Sequence, residues 1–190
     1  MGLIPFLIVA FVVVGVLIYL ATIYNGLVAL RNDIDKAWSN IDVLLKQRHD
    51  ELPRLVEVCK GYMQYERETL QTLTEARAKY ALAATVDQKG LASGSLSVSV
   101  QKLFAVAENY PALKANTSFL ELQKRITELE SQIADRREFY NDSINVFNTR
   151  IQEMPDALLA GVMGLKPRAM FQVSTSEKAA VNIALTPTRV

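Results

Sequence analysis

Cysteine occurs once in this chain, at Cys59, and histidine once, at His49. A lone cysteine excludes an internal disulfide and fits a reducing compartment. A lone histidine leaves no Glu-x-x-His pairs of the kind that build a di-metal site inside a helical bundle. Charge of one sign is also scarce: 21 Lys and Arg stand against 20 Asp and Glu, giving a net charge of +1 with the signs interleaved. No basic face emerges, so nucleic acid is not expected as a partner. There is no P-loop, no G-x-G-x-x-G and no G-x-S-x-G. Glu128 and Glu130 fall on different faces of one helix and form no carboxylate pair for acid and base work. Cys59 sits on an apolar stripe as a small core residue, far from the electropositive setting a nucleophile needs. These absences lead us to expect no enzyme, no metal, no cofactor and no small-molecule substrate.

What the chain does have is a long apolar run at its start. No charged side chain occurs from Gly2 to Leu30, and Leu3 to Ile23 is apolar but for Thr22 and the half-polar Tyr19. At about 1.5 Å per residue that segment reaches roughly 30 Å, the thickness of a bilayer's hydrocarbon core. A cleavable signal peptide is the competing reading. It is disfavoured because no Lys or Arg precedes the run, the run exceeds the usual h-region, and no A-x-A site follows. Arg31, Lys36, Lys46 and Arg48 follow the span, which predicts a retained single-pass anchor with the following domain on the cytoplasmic side.

Beyond Tyr24 the apolar residues thin to a seam: Leu27, Leu30, Ile34, Ala37, Ile41 and Leu44, at steps of three and four. No proline interrupts it before Leu45, so the anchor should flow directly into the first helix of a bundle. His49-Asp50-Glu51-Leu52-Pro53 offers cap-like acids and a first-turn proline, predicting a second helix from about Asp50 to Ala84. Thr85 to Ser99, with Gly90, Gly94 and several serines, reads as a flexible loop. A short helix is expected from about Ser99 to Tyr110. Ser118-Phe119-Leu120-Glu121 has the capping-box pattern and opens a fourth helix carrying Leu122, Ile126, Leu129, Ile133, Arg136, Tyr140, Ile144, Phe147 and Ile151.

The expected fold is therefore all-α: one transmembrane helix (1–23) continuing into an elongated antiparallel bundle of about four helices (24–155). A C-terminal extension (156–190), partly extended or disordered, follows. Leu52, Leu55, Val58, Tyr62 and Tyr65 make the start of the second helix apolar over more than one face. With Trp38 they are candidates for a surface that meets another protomer, a partner or lipid headgroups. Arg48, Glu66, Arg77 and Arg137 fall on or beside apolar seams, and two readings stand side by side. Either Glu66 pairs with one of the arginines and fixes helix register, or long stems snorkel to water.

These residues also carry a resemblance. Tyr24-Asn25-x-Leu27-Val28, Ala37-Trp38-Ser39-x-Ile41-Asp42-Val43, Leu45-Lys46-x-Arg48-x-Asp50-x-x-Pro53-x-Leu55-Val56 and Lys60-Gly61-Tyr62 resemble the opening of the bacterial LemA family. Tyr110-Pro111-x-Leu113-Lys114-Ala115-Asn116-x-x-Phe119-x-x-Leu122-Gln123, Arg137-x-x-Tyr140-Asn141 and Asn148-x-x-Ile151 look like its second half. The chain departs from the family pattern at Gln47, at Gln64-Tyr65 ahead of Glu66, and at Met154. The resemblance implies a membrane segment followed by an antiparallel helical domain without established enzymatic activity. It also implies links to membrane remodelling and to membrane metalloproteases. The function expected is a scaffold that self-associates at the membrane, with membrane lipids and its own copies as partners. The alternative is an adaptor docking to a membrane enzyme such as a metalloprotease.

Overall fold

In the computed structural model, residues 3–171 are described, and they contain six helices and no strand. The first, α1, runs Leu3–Lys60 without a break. It is followed by α2 (Arg67–Leu82), α3 (Val86–Ala107), the single turn α4 (Pro111–Lys114), α5 (Thr117–Arg150) and α6 (Asp156–Val162). Two compact units are present. One gathers the chain up to Asn40 with Glu138–Met170, the other Ile41–Arg137 with Phe171, and α1 and α5 each contribute to both.

The beginning of α1 differs from everything after it. Its large apolar side chains from Leu3 to Leu20 are 40 to 81% exposed, and this part is long and apolar enough to cross a membrane by length and composition. From Ile23 onward a buried line begins: Leu27, Ile34, Ala37, Ile41, Leu45, Leu52, Leu55 and Cys59. Half-buried Leu30 and fully buried Arg48 fill its two gaps. The spacing averages about 3.6 residues, the period of a straight helix, so a single face stays covered from Ile23 to Cys59. Leu45, not Leu44, occupies the seam.

The second helix does not start at Asp50; α1 passes straight through Pro53. A proline inside a helix leaves the carbonyl four residues earlier without its donor, here His49 O. Arg77 Nε donates to that oxygen at 3.3 Å, while buried Leu52, Leu55 and Cys59 hold the helix in place by packing. The break comes instead at residues 61–66, where Met63 N and Tyr62 N both turn back to Cys59 O and buried Met63 plugs the turn. Helix α2 is consequently short, at 16 residues, and runs antiparallel to α1: the ring of Tyr80, near its end, lies 5.5 Å from that of His49.

The stretch expected as a loop is most of α3. Thr85 Oγ1 accepts from Gln88 N while Gln88 Oε1 accepts from Thr85 N, a complete capping box. Gly90, Ser93, Gly94 and Ser97 recur at i, i+3, i+4 and i+7 and are all buried. Their lack of bulk suggests flexibility in sequence, but in the fold it makes a helix face that a neighbour can approach closely. At α5 the cap is Asn116, whose Oδ1 accepts from Phe119 N at 3.0 Å. It stands two residues before the Ser118 expected from the pattern.

After α6, Gly164 takes a left-handed φ of 64° and Leu165 N bonds Ala160 O at 3.0 Å, a glycine-terminated helix end. The following extended segment is tied down at Arg168. Its backbone N and O bond Asn148 Oδ1 and Nδ2, each at 2.8 Å, and its guanidinium reaches Asp35 at 2.6 Å. The rest of the extension, 172–190, lies outside the described residues.

Candidate functional site

The polar residues of the second unit meet around Arg48. Its position in the α1 seam, between Leu45 and Leu52, forces a guanidinium to where an apolar residue would normally pack, and it is fully buried. Three partners converge on it. Nη1 donates to Glu130 Oε1 on α5 at 2.5 Å and to Ser97 Oγ on α3 at 2.8 Å. Nη2 donates to Ser93 Oγ at 2.8 Å and more weakly to Ser93 O at 3.4 Å. Ser97 in turn donates to Glu130 Oε2 at 2.9 Å, and Arg137 Nη2 donates to Ser93 Oγ at 2.6 Å. The Arg137 guanidinium also lies 4.9 Å from the Phe171 ring centroid.

The small face of α3 makes this arrangement possible. Serines at 93 and 97 leave room for the guanidinium and supply its acceptors; bulky residues there would exclude it. Glu130, with 28% of its side chain exposed, neutralises a charge that would be costly to bury alone. Three helices are thereby pinned in one register. Next door, His49 sits below its ordinary pKa, first because burial disfavours its charged form and then because Arg77 and Arg48 are close, with Asp50 opposing them. Burial pushes the Cys59 thiol up to about 11 and Tyr80 up to about 12. Cys59 is therefore an uncharged core residue at neutral pH.

The four seam residues expected from sequence separate into distinct roles. Arg48 and Arg137 meet on Ser93, and Arg77 serves the carbonyl freed by Pro53. Glu66 meets none of the arginines; it accepts from Tyr110 OH at 3.1 Å. The carboxylate for Arg48 is Glu130. Its signal in the sequence is its spacing, four residues after Ile126 and seven before Arg137, next to the seam. Ser93 and Ser97 carry no such signal, because their composition points to a loop.

The candidate surface is likewise divided. Leu52 and Leu55 are completely buried in the unit's own core and face no partner. Val58 is half-buried. Tyr62 is 40% exposed, its hydroxyl accepting from Asn116 Nδ2, and Tyr65 is 94% exposed. Trp38 belongs to the other unit, where its ring lies 5.8 Å from that of Tyr140.

A match to the LemA family extends over residues 37–185 and takes in the whole Arg48 cluster. The chain belongs to the LemA family. Among curated relatives it is 24% identical over 189 residues to magnetosome proteins MamQ 1 and MamQ 2 of Paramagnetospirillum magneticum, covering 84% of this chain and 70% of each relative. It is 27% identical over 162 residues to protein LemA of Metamycoplasma hominis, covering 83% and 73%. Family membership and the apolar start of α1 together point to a membrane-associated LemA protein. Within it the Arg48 cluster ties α1, α3 and α5 together: both Nη atoms of Arg48 are engaged, while its buried Nε has no hydrogen-bond partner among the described residues.

Proposed function

We propose that this LemA-family protein is a membrane-anchored, non-enzymatic scaffold whose helical domains associate side by side at the bacterial inner membrane, on its cytoplasmic face. The observation that carries the reading is α1, a single 58-residue helix whose apolar start is exposed and whose continuation from Ile23 forms the seam of a packed core. Such a helix holds its folded domain against the bilayer without a joint. Tethering in one plane raises the effective concentration of neighbouring copies, so weak lateral contacts suffice for assembly. The polar cluster supports the same reading, since it ties α1, α3 and α5 together within the domain.

Crosslinking in native membranes tests this. A ladder of homo-oligomers is expected, and a monomer alone, under conditions that trap a known membrane oligomer, removes the scaffold reading. A single stoichiometric membrane protein captured in its place, and lost when 166–190 are deleted, establishes the adaptor alternative.

A further inference from the structure

Helix α5 runs back along α1 toward its apolar start. The ring of Tyr140 stands 5.8 Å from that of Trp38, and further on Arg150 has reached Gly26, where a Cβ would lie 3.2 Å from its Nη2. Arg150 Nε in turn donates to Asp156 Oδ2 at 2.5 Å, so the first residue of α6 is held close to Gly26. By Arg168 the chain has turned back to Asp35. The residues between, α6 included, form the end of this unit that lies nearest the apolar run. Gly26 is only about 5 Å along the helix axis from Ile23, where that run stops.

Helix α6 has two unlike faces. Asp156 and Ala160 are buried and hold it to its unit. Leu158 and Val162, which share the other face at i and i+4, are 66% and 85% exposed, and Met154, in the turn just before the helix, is 70% exposed. No charged residue occurs from Ala157 to Leu165; Glu153 and the Arg150–Asp156 pair precede that stretch and Lys166 follows it. Single apolar residues on a surface need no explanation, but a strip of them beside a second apolar surface does. That second surface is the exposed start of α1. Tyr24, also exposed, stands between the two at the place where an aromatic marks a membrane–water boundary.

We infer that α6 lies in the head-group layer of the bilayer, with Leu158 and Val162 turned toward the acyl chains and Met154 beside them. A helix lying in this layer buries its apolar face about 5 to 10 Å into the boundary. Lys166, at its exit, is placed for lipid phosphates. The inference rests on the anchoring of α1 proposed above and extends it. A single span leaves the domain free to turn about the axis of α1; a second contact, made by a different helix, fixes which side of the domain faces its neighbours.

The test places one tryptophan in the full chain, in a Trp38→Phe background, reconstituted into vesicles of phosphatidylcholine and phosphatidylglycerol. The acyl chains are brominated either near the head group or near the chain end, and bromine quenches only an indole in contact with lipid. Leu158→Trp and Val162→Trp should be quenched more by the shallow bromines, and Val12→Trp, in the middle of the apolar run, more by the deep ones. Phe139→Trp, exposed on α5 next to Tyr140, should be quenched by neither. Met154→Glu/Leu158→Glu should abolish the quenching of Val162→Trp. Circular dichroism confirms that each variant is folded. Quenching of Val12→Trp without quenching at positions 158 and 162 overturns the inference and leaves the anchor standing; no quenching of Val12→Trp overturns both. Quenching at 162 that survives the two glutamates overturns the role of the apolar face. Blue-shifted emission at 158 that ignores bromine and moves to the red as protein is diluted in lipid makes the face a contact between copies, and also overturns the inference.

Discussion

Arg48 and Glu130 differ in what their removal leaves behind. With Glu130→Leu, a fully buried guanidinium keeps only two serine hydroxyls and a carbonyl as acceptors, so its charge is uncompensated. Losing one member of a buried pair typically costs about 3 to 5 kcal/mol. Replacing both, Arg48→Met with Glu130→Leu, removes the charge with the pair and should recover most of that loss. Chemical denaturation of the two single variants and the double variant in detergent checks this, and purely additive losses would show that the two side chains do not act together. The neighbouring His49 makes stability depend on pH. Its folded pKa lies below the ordinary 6.5, so the unfolded chain takes up a proton first as pH falls. The contribution is intact above about pH 6.5 and is lost on acidification below it. Arg48, Arg77, Asp50, Asp42 and Tyr80 are the charged and titratable groups around this corner. Melting curves from pH 7.5 to 5 should fall more steeply for the wild type than for His49→Gln, and parallel curves would assign the acid sensitivity elsewhere.

At the scale of single elements, Pro53 and Arg77 form a pair that neither residue reveals alone. Pro53 withholds a donor from His49 O and Arg77 supplies one. A neutral hydrogen bond contributes about 1 kcal/mol, and a charged donor somewhat more. Arg77→Leu should therefore cost about 1 to 2 kcal/mol with proline at 53. In a Pro53→Ala background the backbone N–H restored at position 53 bonds the same carbonyl, and Arg77→Leu should cost distinctly less. Equal costs in the two backgrounds would disprove the compensation. The same pair explains why the helix boundary is illegible in sequence: a proline behind two acids carries the local pattern of a helix start, and a residue 24 positions away cancels it. Locally encoded features are legible, among them the exposed apolar run, the seam from Leu27 to Ile41 and the series from Ile126 to Ile151. Long-range features are not. Serines and glycines at 90, 93, 94 and 97 look like a loop until Arg48 is placed against them, and Glu130 looks like a solvated acid until the same guanidinium reaches it.

For the molecule as a whole, the decisive property is that one helix carries two kinds of surface, an exposed apolar start and a buried seam. Large apolar side chains from Leu3 to Leu20 are all at least 40% exposed, whereas Ile23 and Leu27 are 4% and 0% exposed. Only about a turn of helix separates these regimes, and nothing in that turn is a hinge, since the helix runs on unbroken from Leu3 to Lys60. A helical join transmits orientation, so neighbouring copies would meet the same way round each time. A flexible join keeps them close but lets each rotate. A six-residue Gly-Ser insertion after Ile23 separates the two contributions. The buried seam from Leu27 onward is untouched, so the melting transition of the folded domain should stay where it is. Proximity is also retained, because a short flexible tether still confines the domains to one plane at high effective concentration. If lateral assembly needs the orientation that α1 imposes, the oligomers captured by crosslinking in native membranes should drop several-fold with the domain fully folded. An undiminished ladder would mean that α1 acts as a tether and that orientation comes from the contacting surfaces themselves.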